Sequence, residues 1–184
     1  MKYRYSILIC GKISSGKTAL IKYLTKEFDI PVTSFGKMIK DKVEITNRNS
    51  TRKQLQDFGY NLFSSAGAKK ILEMAIEHSN NKDYEKIIFD GVRHETVFKE
   101  IKNISQKILL IFLDAKEDVR FHRFVKYTGS DNLSPADFHE MDSHAIELGT
   151  DKLKEYSDLV IDASQPFEKV CSIAKMKVQN FLSN

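Results

Sequence analysis

The sequence has few cysteines, no long apolar run and no concentrated block of basic residues, and each absence excludes a class of protein. Its 184 residues include only two cysteines, Cys10 and Cys171, which argues against a disulfide scaffold and favours buried free thiols in a reducing compartment. No segment approaches the ~18 apolar residues that a membrane-spanning helix needs. The apolar run near the N-terminus has only about five residues, too few for a secretion signal. We therefore expect a cytoplasmic protein with no membrane partner.

The charge of the chain is also moderate. The formal net charge is +4, and the lysines are spread along the chain, so no nucleic-acid partner is predicted. Hydrophobic residues make up 41% and charged residues 29%, an ordinary balance for a globular protein. The length suffices for one domain with a real core. We therefore expect residues 1–184 to form a single domain.

Short apolar runs rich in β-branched residues alternate with longer amphipathic segments, a pattern typical of α/β proteins with a parallel sheet. Polar breaks are predicted at 47–50 and 127–135. The predicted strands cover residues 5–10, 31–35, 86–90, 108–113 and 159–162. The predicted helices cover residues 17–27, 38–46, 51–78, 96–103, 117–127, 135–148 and 167–181.

Residues 11–18, GKISSGKT, follow the first predicted strand and match the P-loop pattern G-x-x-x-x-G-K-[ST] at every position. The two glycines allow a tight turn whose amides point at one phosphate, and the helix N-terminus that follows favours an anion. Lys17 is expected to reach the β- and γ-phosphates of ATP, and the Thr18 hydroxyl to bind Mg²⁺. The predicted ATP-binding residues are Gly11, Ile13, Ser14, Ser15, Gly16, Lys17 and Thr18.

The P-loop and the alternating elements together predict a three-layer α/β/α P-loop NTPase fold with a central five-stranded parallel sheet. Such a protein needs an acidic side chain at the end of a neighbouring strand to help hold Mg²⁺. Asp90 is preferred as this second metal ligand, because Arg93 follows it and brings a cation to the same edge of the sheet. Asp114, which ends the fourth predicted strand, is the competing candidate.

Two further segments carry a family resemblance. Asp90-Gly91-Val92-Arg93 resembles a segment of the nucleoside monophosphate kinase superfamily in which the arginine binds the phosphate of the acceptor. The stretch TRKQLQDFG, residues 51–59, is similar to the T-R-x-x-L-Q-x-x-G segment of deoxynucleoside monophosphate and dephospho-CoA-like kinases. Residues 34–36 resemble the family's entry to the acceptor region. The resemblance thus implies a set of acceptor-binding residues: Ser34, Phe35, Gly36, Arg52, Gln56 and Arg93.

The same resemblance assigns two larger regions. Residues from about 36 to 80 would form an acceptor-binding helical insertion, and residues from about 115 to 150 a lid. Arg120 and Arg123 are similar to the lid arginines that close over the transferring phosphoryl group. The implied catalytic residues are Lys17, Arg93, Arg120 and Arg123.

Charge neutralisation supports this assignment independently, because two anionic substrates that meet head to head need cations from both sides. The sequence therefore predicts a Mg²⁺-dependent kinase that transfers the terminal phosphate of ATP to a small phosphorylated acceptor, with a (deoxy)nucleoside monophosphate favoured. A dephospho-CoA kinase-like enzyme is the alternative within this class. A nucleotide-dependent regulatory ATPase without a small-molecule acceptor is the alternative outside it. The sequence leaves the acceptor and the oligomeric state open.

Four ring-bearing side chains are left without an assigned role. His94 stands beside Arg93 and could contact a substrate. Phe58, Tyr60 and Phe63 could flank the base of an acceptor, but their spacing fits a buried helix face better.

Overall fold

A five-stranded, fully parallel β-sheet is the centre of the computed structural model, which describes residues 2–45, 50–80, 85–130 and 132–183. In spatial order the sheet runs β2-β3-β1-β4-β5. The strands are β1 (Tyr3–Cys10), β2 (Val32–Ser34), β3 (Lys86–Asp90), β4 (Ser105–Asp114) and β5 (Leu159–Asp162). The helices are α1 (Lys17–Phe28), α2 (Phe35–Glu44), α3 (Arg52–Ser79), α4 (Glu95–Ile104), α5 (Glu117–Thr128), α6 (Pro135–Asp142), α7 (Ala145–Glu155) and α8 (Phe167–Ser183).

Helices cover both faces of the sheet because successive strand residues point to opposite sides. In β1, Ile7 and Ile9 pack with buried residues of α1 and α8, whereas Leu8 packs with residues of α2, α3 and α4 on the other face. Both clusters are apolar and buried, as expected for parallel strands that are covered twice. The predicted three-layer architecture with five parallel strands is confirmed.

The prediction of a single helix over 135–148 is wrong. The structure has two helices there, since α6 ends at Asp142 and α7 begins at Ala145. Asp142 turns inward to pair with Arg120, and the His144 side chain accepts a hydrogen bond from the Ile146 amide at the start of α7. No glycine or proline marks this break, so the apolar pattern continues across it.

Other boundaries differ by smaller amounts. The helix predicted over 51–78 corresponds to α3, but Gly67 interrupts it with φ 76° and ψ 167°. The helix predicted over 38–46 already begins at Phe35, and residue 46 lies outside the described residues. Residues 47–49 of the first predicted polar break, and residue 131 of the second, also lie outside them. No helix in the described ranges is long and apolar enough to cross a membrane.

The carboxyl ends of β1, β2 and β3 meet at one edge of the sheet because all three strands are parallel and paired in register. Ser34 lies opposite Asp90, and Asp90 lies opposite Ile9. The loop after β1, the start of α2 and the segment after β3 therefore emerge side by side, and the site is built from them.

Candidate active site

The loop between β1 and α1 has the backbone that the P-loop prediction requires. Gly11, Ser14 and Gly16 have φ values of 142°, 57° and 98°. A side chain at Gly11 is excluded because its Cβ would lie 2.5 Å from the carbonyl oxygen of Leu113. Gly16 immediately precedes the first residue of α1, so the loop delivers the chain directly into a helix N-terminus. This arrangement is typical of phosphate binding.

Lys17 folds back over this loop. Its Nζ donates hydrogen bonds to the carbonyl oxygens of Gly11 at 2.6 Å and Lys12 at 2.7 Å. Burial, and then repulsion from Arg93, lowers the pKa of Lys17 from 10.5 to about 7. The ammonium group is thus held by neutral carbonyl dipoles, and a phosphate at this position would stabilise its charged form.

The two predicted metal ligands lie near this lysine. Thr18 is exposed on the first turn of α1, and Asp90 ends β3 close enough to Lys17 to oppose the lowering of its pKa. Asp90 Oδ2 accepts a hydrogen bond of 2.8 Å from Ser34 Oγ, which also caps α2. A hydroxyl and a carboxylate are hard oxygen donors and suit Mg²⁺. Asp114, the competing candidate, pairs instead with Lys154 at the surface.

Metal binding by a larger cluster finds no support in the part of the chain that the structure describes. No group of three or more histidine, cysteine, aspartate or glutamate side chains is placed there to hold an ion. Thr18 and Asp90 remain the predicted ligands of Mg²⁺.

A cavity opens between α2, α3 and the segment after β3. Two of its lining residues, Arg52 and Arg93, lie close enough to Lys17 of the P-loop to lower the pKa of that lysine. Most of the cavity wall is apolar, whereas Arg52, Gln56 and Arg93 supply polar atoms. Five of the six residues predicted to bind the acceptor line it, namely Phe35, Gly36, Arg52, Gln56 and Arg93. The sixth is Ser34, whose hydroxyl is engaged with Asp90.

The sequence analysis missed a carboxylate at the centre of this site. Glu147 on α7 is 1% exposed and accepts hydrogen bonds of 3.0 Å from Arg52 Nη2 and from Gln56 Nε2. The same oxygen forms an ion pair with Arg93 Nη1. Its sequence signal is weak: Glu147, Thr150 and Leu153 share the buried face of α7, a pattern in which a glutamate is unexpected.

The two arginines form a positively charged wall. Burial, and then repulsion from Arg52, lowers the pKa of Arg93 to about 9, and burial also lowers the pKa of Arg52. At a pKa of about 9 the Arg93 guanidinium group is still charged at neutral pH. Two half-buried cations that repel each other favour an anion between them, and Glu147 is the anion that the structure places there.

The two predicted lid arginines lie apart from this wall. Arg120 is buried and donates two hydrogen bonds to Asp142, of 2.6 and 2.8 Å, and a third of 3.3 Å to the carbonyl oxygen of Ile13 in the P-loop. Arg123 Nη2 donates to the carbonyl oxygen of Ala163 at 2.8 Å. Arg120 therefore braces the P-loop in this structure, and its predicted catalytic role remains a prediction.

Of the unassigned rings, two reach the cavity. Phe63 and His94 line it and stack, with ring centroids 3.9 Å apart and an interplanar angle of 7°. Phe58 and Tyr60 are half-exposed on α3 and do not line it. Phe63 is the one aromatic residue of that helix placed to flank an acceptor.

Comparison with known proteins agrees with this geometry at the level of fold. Residues of a shikimate kinase from Bacteroides thetaiotaomicron superpose with a TM-score of 0.55 at 16% identity, covering 98% of this chain and 99% of that one. A gluconokinase from Sinorhizobium meliloti gives 0.58 at 14% identity, covering 94% and 90%. A sugar kinase from Janibacter gives 0.59 at 14% identity, covering 96% and 95%. The chain has the fold of the P-loop kinases.

Sequence comparison adds relatives without a described activity in their names. A UPF0200 protein of Saccharolobus islandicus is 22% identical over 165 residues, which span 89% of this chain and 86% of the relative. A UPF0200 protein of Saccharolobus solfataricus matches to the same extent. No family model matches the sequence.

Proposed function

We propose that this protein is an ATP-dependent kinase that transfers the terminal phosphate of ATP to a small phosphorylated acceptor, with a (deoxy)nucleoside monophosphate as the favoured class. The proposal rests on one observation. Arg52, Gln56 and Arg93 converge on a single anion at the wall of a largely apolar cavity. The two arginines also lie close enough to Lys17 to lower its pKa. A phosphate held by these three donors, with its nucleoside in the apolar part of the cavity, would face the P-loop.

The charges of these residues suggest which of them would bind the donor and which the acceptor. The amides of the P-loop and Lys17 would bind the β- and γ-phosphates of the donor, while Arg52 and Arg93 would bind the acceptor's phosphate. Thr18 and Asp90 are the residues that would hold Mg²⁺, which neutralises charge on the donor phosphates when it is bound. Transfer then depends on alignment of two anions that would otherwise repel each other.

The two regions implied by the family resemblance are also part of the proposal. The insertion from about 36 to 80 supplies Arg52 and Gln56 to the acceptor, and the lid from about 115 to 150 supplies Arg120 and Arg123. For these two arginines to act on the transferring phosphoryl group, they must leave Asp142 and Ala163 during the reaction cycle. Cys10 and Cys171, both free and buried, fit the reducing conditions of the cytoplasm.

The lining of the cavity suits the proposed acceptor. Its wall is mostly apolar, and Arg52, Gln56 and Arg93 supply polar atoms for an anionic group. The Phe63–His94 stack offers a flat aromatic surface at its wall. These features favour an acceptor with a planar, largely apolar group attached to its phosphate.

The test is acceptor-dependent ADP formation. The protein is incubated with Mg·ATP and a panel of nucleoside monophosphates, deoxynucleoside monophosphates and dephospho-CoA, and ADP is measured with and without each acceptor. We expect one class of phosphorylated acceptor to stimulate ADP formation. Stimulation by dephospho-CoA alone would select the alternative within the class. ADP formation that no acceptor stimulates would favour a regulatory ATPase and overturn the proposal.

A second acceptor class is favoured by Glu147 itself. The arginine pair binds a carboxylate in this structure, so it can bind the carboxylate of a small hydroxy acid as well. Two of the proteins with the same fold are named a shikimate kinase and a gluconokinase, and their named substrates are hydroxy acids. Shikimate and gluconate therefore belong in the same panel. Stimulation by either of them, and by no phosphorylated compound, would replace the favoured acceptor with this one.

A further inference from the structure

The donors of the proposed acceptor site are occupied by one oxygen of the protein. Arg52 Nη2 and Gln56 Nε2 each donate to Glu147 Oε1 at 3.0 Å, and Arg93 Nη1 pairs with the same atom. Gln56 also donates to the carbonyl oxygen of Met141 at 2.9 Å. An internal carboxylate therefore lies at the point where the acceptor's anionic group is proposed to bind.

The position of Glu147 is built into the packing of α7. A Cβ at Gly149 would lie 2.4 Å from the carbonyl oxygen of Arg93, so only glycine allows the helix to approach this segment. On its other side, a Cβ at Gly59 of α3 would lie 3.0 Å from Ile146 Cδ1. Glycines on both contacts bring α7 close to both arginine-bearing segments, which directs the glutamate into the site.

The carboxylate leaves part of the site unused. Arg52 Nε is buried and has no hydrogen-bond partner among the described residues. Because Nε stays unpaired while Nη2 donates to Oε1, the Arg52 guanidinium group does not make the parallel pair of hydrogen bonds from Nε and Nη2 that it can make to one anion. A phosphate has more acceptor oxygens and up to two negative charges, so it would use these donors more fully.

We propose that Glu147 is an intramolecular placeholder for the acceptor's anionic group, and that the acceptor binds by displacing it. The inference rests on the proposed function, since it takes Arg52 and Arg93 as acceptor ligands. Glu147 keeps two mutually repelling cations paired in the absence of acceptor. It also selects against small free anions, because a ligand must gain additional contacts in the apolar cavity to replace a tethered competitor.

The test is the affinity for inorganic phosphate, measured by calorimetry in a Lys17→Met background that weakens the competing anion site of the P-loop. We expect Glu147→Gln to lower the Kd for phosphate about tenfold, because a competing buried negative charge is removed while the arginines remain. Glu140→Gln is the matched control, because Glu140 lies on the neighbouring helix, is exposed and pairs only weakly with Lys53 at 3.4 Å. It should leave the Kd unchanged.

Folding is monitored in the same samples. Loss of Glu147 leaves two half-buried cations without their counter-charge, so the Tm of Glu147→Gln should fall. Phosphate should then raise the Tm of this variant by more than it raises the Tm of the Lys17→Met protein. If this variant does not fold, the phosphate affinity of Glu147→Asp is measured instead. Aspartate keeps the negative charge on a side chain that is shorter by one methylene group, so a smaller gain in phosphate affinity is expected. Unchanged or weaker phosphate binding in the variant that folds would overturn the placeholder and make Glu147 a permanent part of the site.

Failure of the proposed function gives a different result. In that case the wild-type protein forms no acceptor-dependent ADP, while Glu147→Gln still gains affinity for phosphate. Conversely, acceptor-dependent ADP formation without any gain in phosphate affinity would retain the kinase and overturn the placeholder alone.

Discussion

The proposed donor side and the proposed acceptor side of the site hold their cations in different ways. Lys17 is held by neutral carbonyl oxygens of a single loop, whereas Arg52 and Arg93 are held by the full negative charge of Glu147. Carbonyl dipoles are weaker competitors for a cation than a buried carboxylate is. ATP would therefore meet a loop already shaped for it, whereas the proposed acceptor would first have to displace an internal anion.

The largest effect of a single substitution on activity is expected at Lys17. Lys17→Met should lower kcat by about 10²–10³-fold, since one preorganised cation is lost from the developing charge. The fold should be retained because the side chain bonds only to its own loop. Steady-state kinetics with the best acceptor gives kcat, and circular dichroism checks the fold.

Lys22→Met is the control for this variant. Lys22 lies on the same helix, and its side chain is exposed. It should turn over at the wild-type rate. A Lys17→Met protein with wild-type kcat would remove Lys17 from the proposed donor site.

A second large effect is expected in stability. Arg120 and Asp142, with side chains 4% and 3% exposed, form a buried pair that connects α5 and α6 to the P-loop. Arg120→Met should lower the free energy of unfolding by about 3 kcal/mol, because Asp142 loses its main partner in a buried place. Urea denaturation measures the change.

The double variant Arg120→Met/Asp142→Leu distinguishes the effect of an unpaired Asp142 from a general loss of packing. It removes both charges and should recover most of the lost stability. If the single variant loses less than about 1 kcal/mol, the pair behaves as a surface ion pair and does not brace the P-loop.

Much of the fold and the donor side could be predicted because their signals are local. The β-branched runs of β1, β3 and β4 and the eight-residue P-loop each lie within one short stretch of sequence. Local patterns also explain the error over 135–148, where no residue type marks the end of α6. The position of that end depends on Asp142 pairing with Arg120, 22 residues away.

The proposed acceptor side could be predicted only in part. Motif resemblance brought out Arg52, Gln56 and Arg93, and the structure places all three in one wall. Glu147 carries no such signal, because it lies 95 residues from Arg52 and its role arises only when α7 packs beside α3. A buried counter-charge is set by tertiary contacts, which a single sequence does not reveal.

A smaller effect should separate the two sides in kinetics. Arg93→Gln should raise the KM for the acceptor about 10- to 100-fold with little change in the KM for ATP, because one charged hydrogen bond to the acceptor is lost. Arg4→Gln is the control, since Arg4 is exposed and pairs with Glu85 far from the cavity. An Arg93 variant that alters only the KM for ATP would move this residue from the acceptor side to the donor side.

The smallest effect is proton uptake on nucleotide binding, which amounts to about one proton or less. It tests the donor side alone, because it depends on the pKa of Lys17. In the free protein the pKa of Lys17 is about 7, so near a pH of about 8 the amine is mostly neutral. Bound phosphates favour its charged form and raise that pKa, so binding of ADP should take up close to one proton at this pH. Calorimetry in buffers of different ionisation enthalpy measures the uptake as the slope of the observed enthalpy against the ionisation enthalpy of the buffer.

Lys17→Met should abolish that slope. Glu147→Gln should preserve it, because Glu147 pairs with the two arginines, whereas the hydrogen bonds of Lys17 lie within its own loop. A wild-type slope near zero would mean that Lys17 is already charged in the free protein, and neutral carbonyl groups would then be sufficient to hold it.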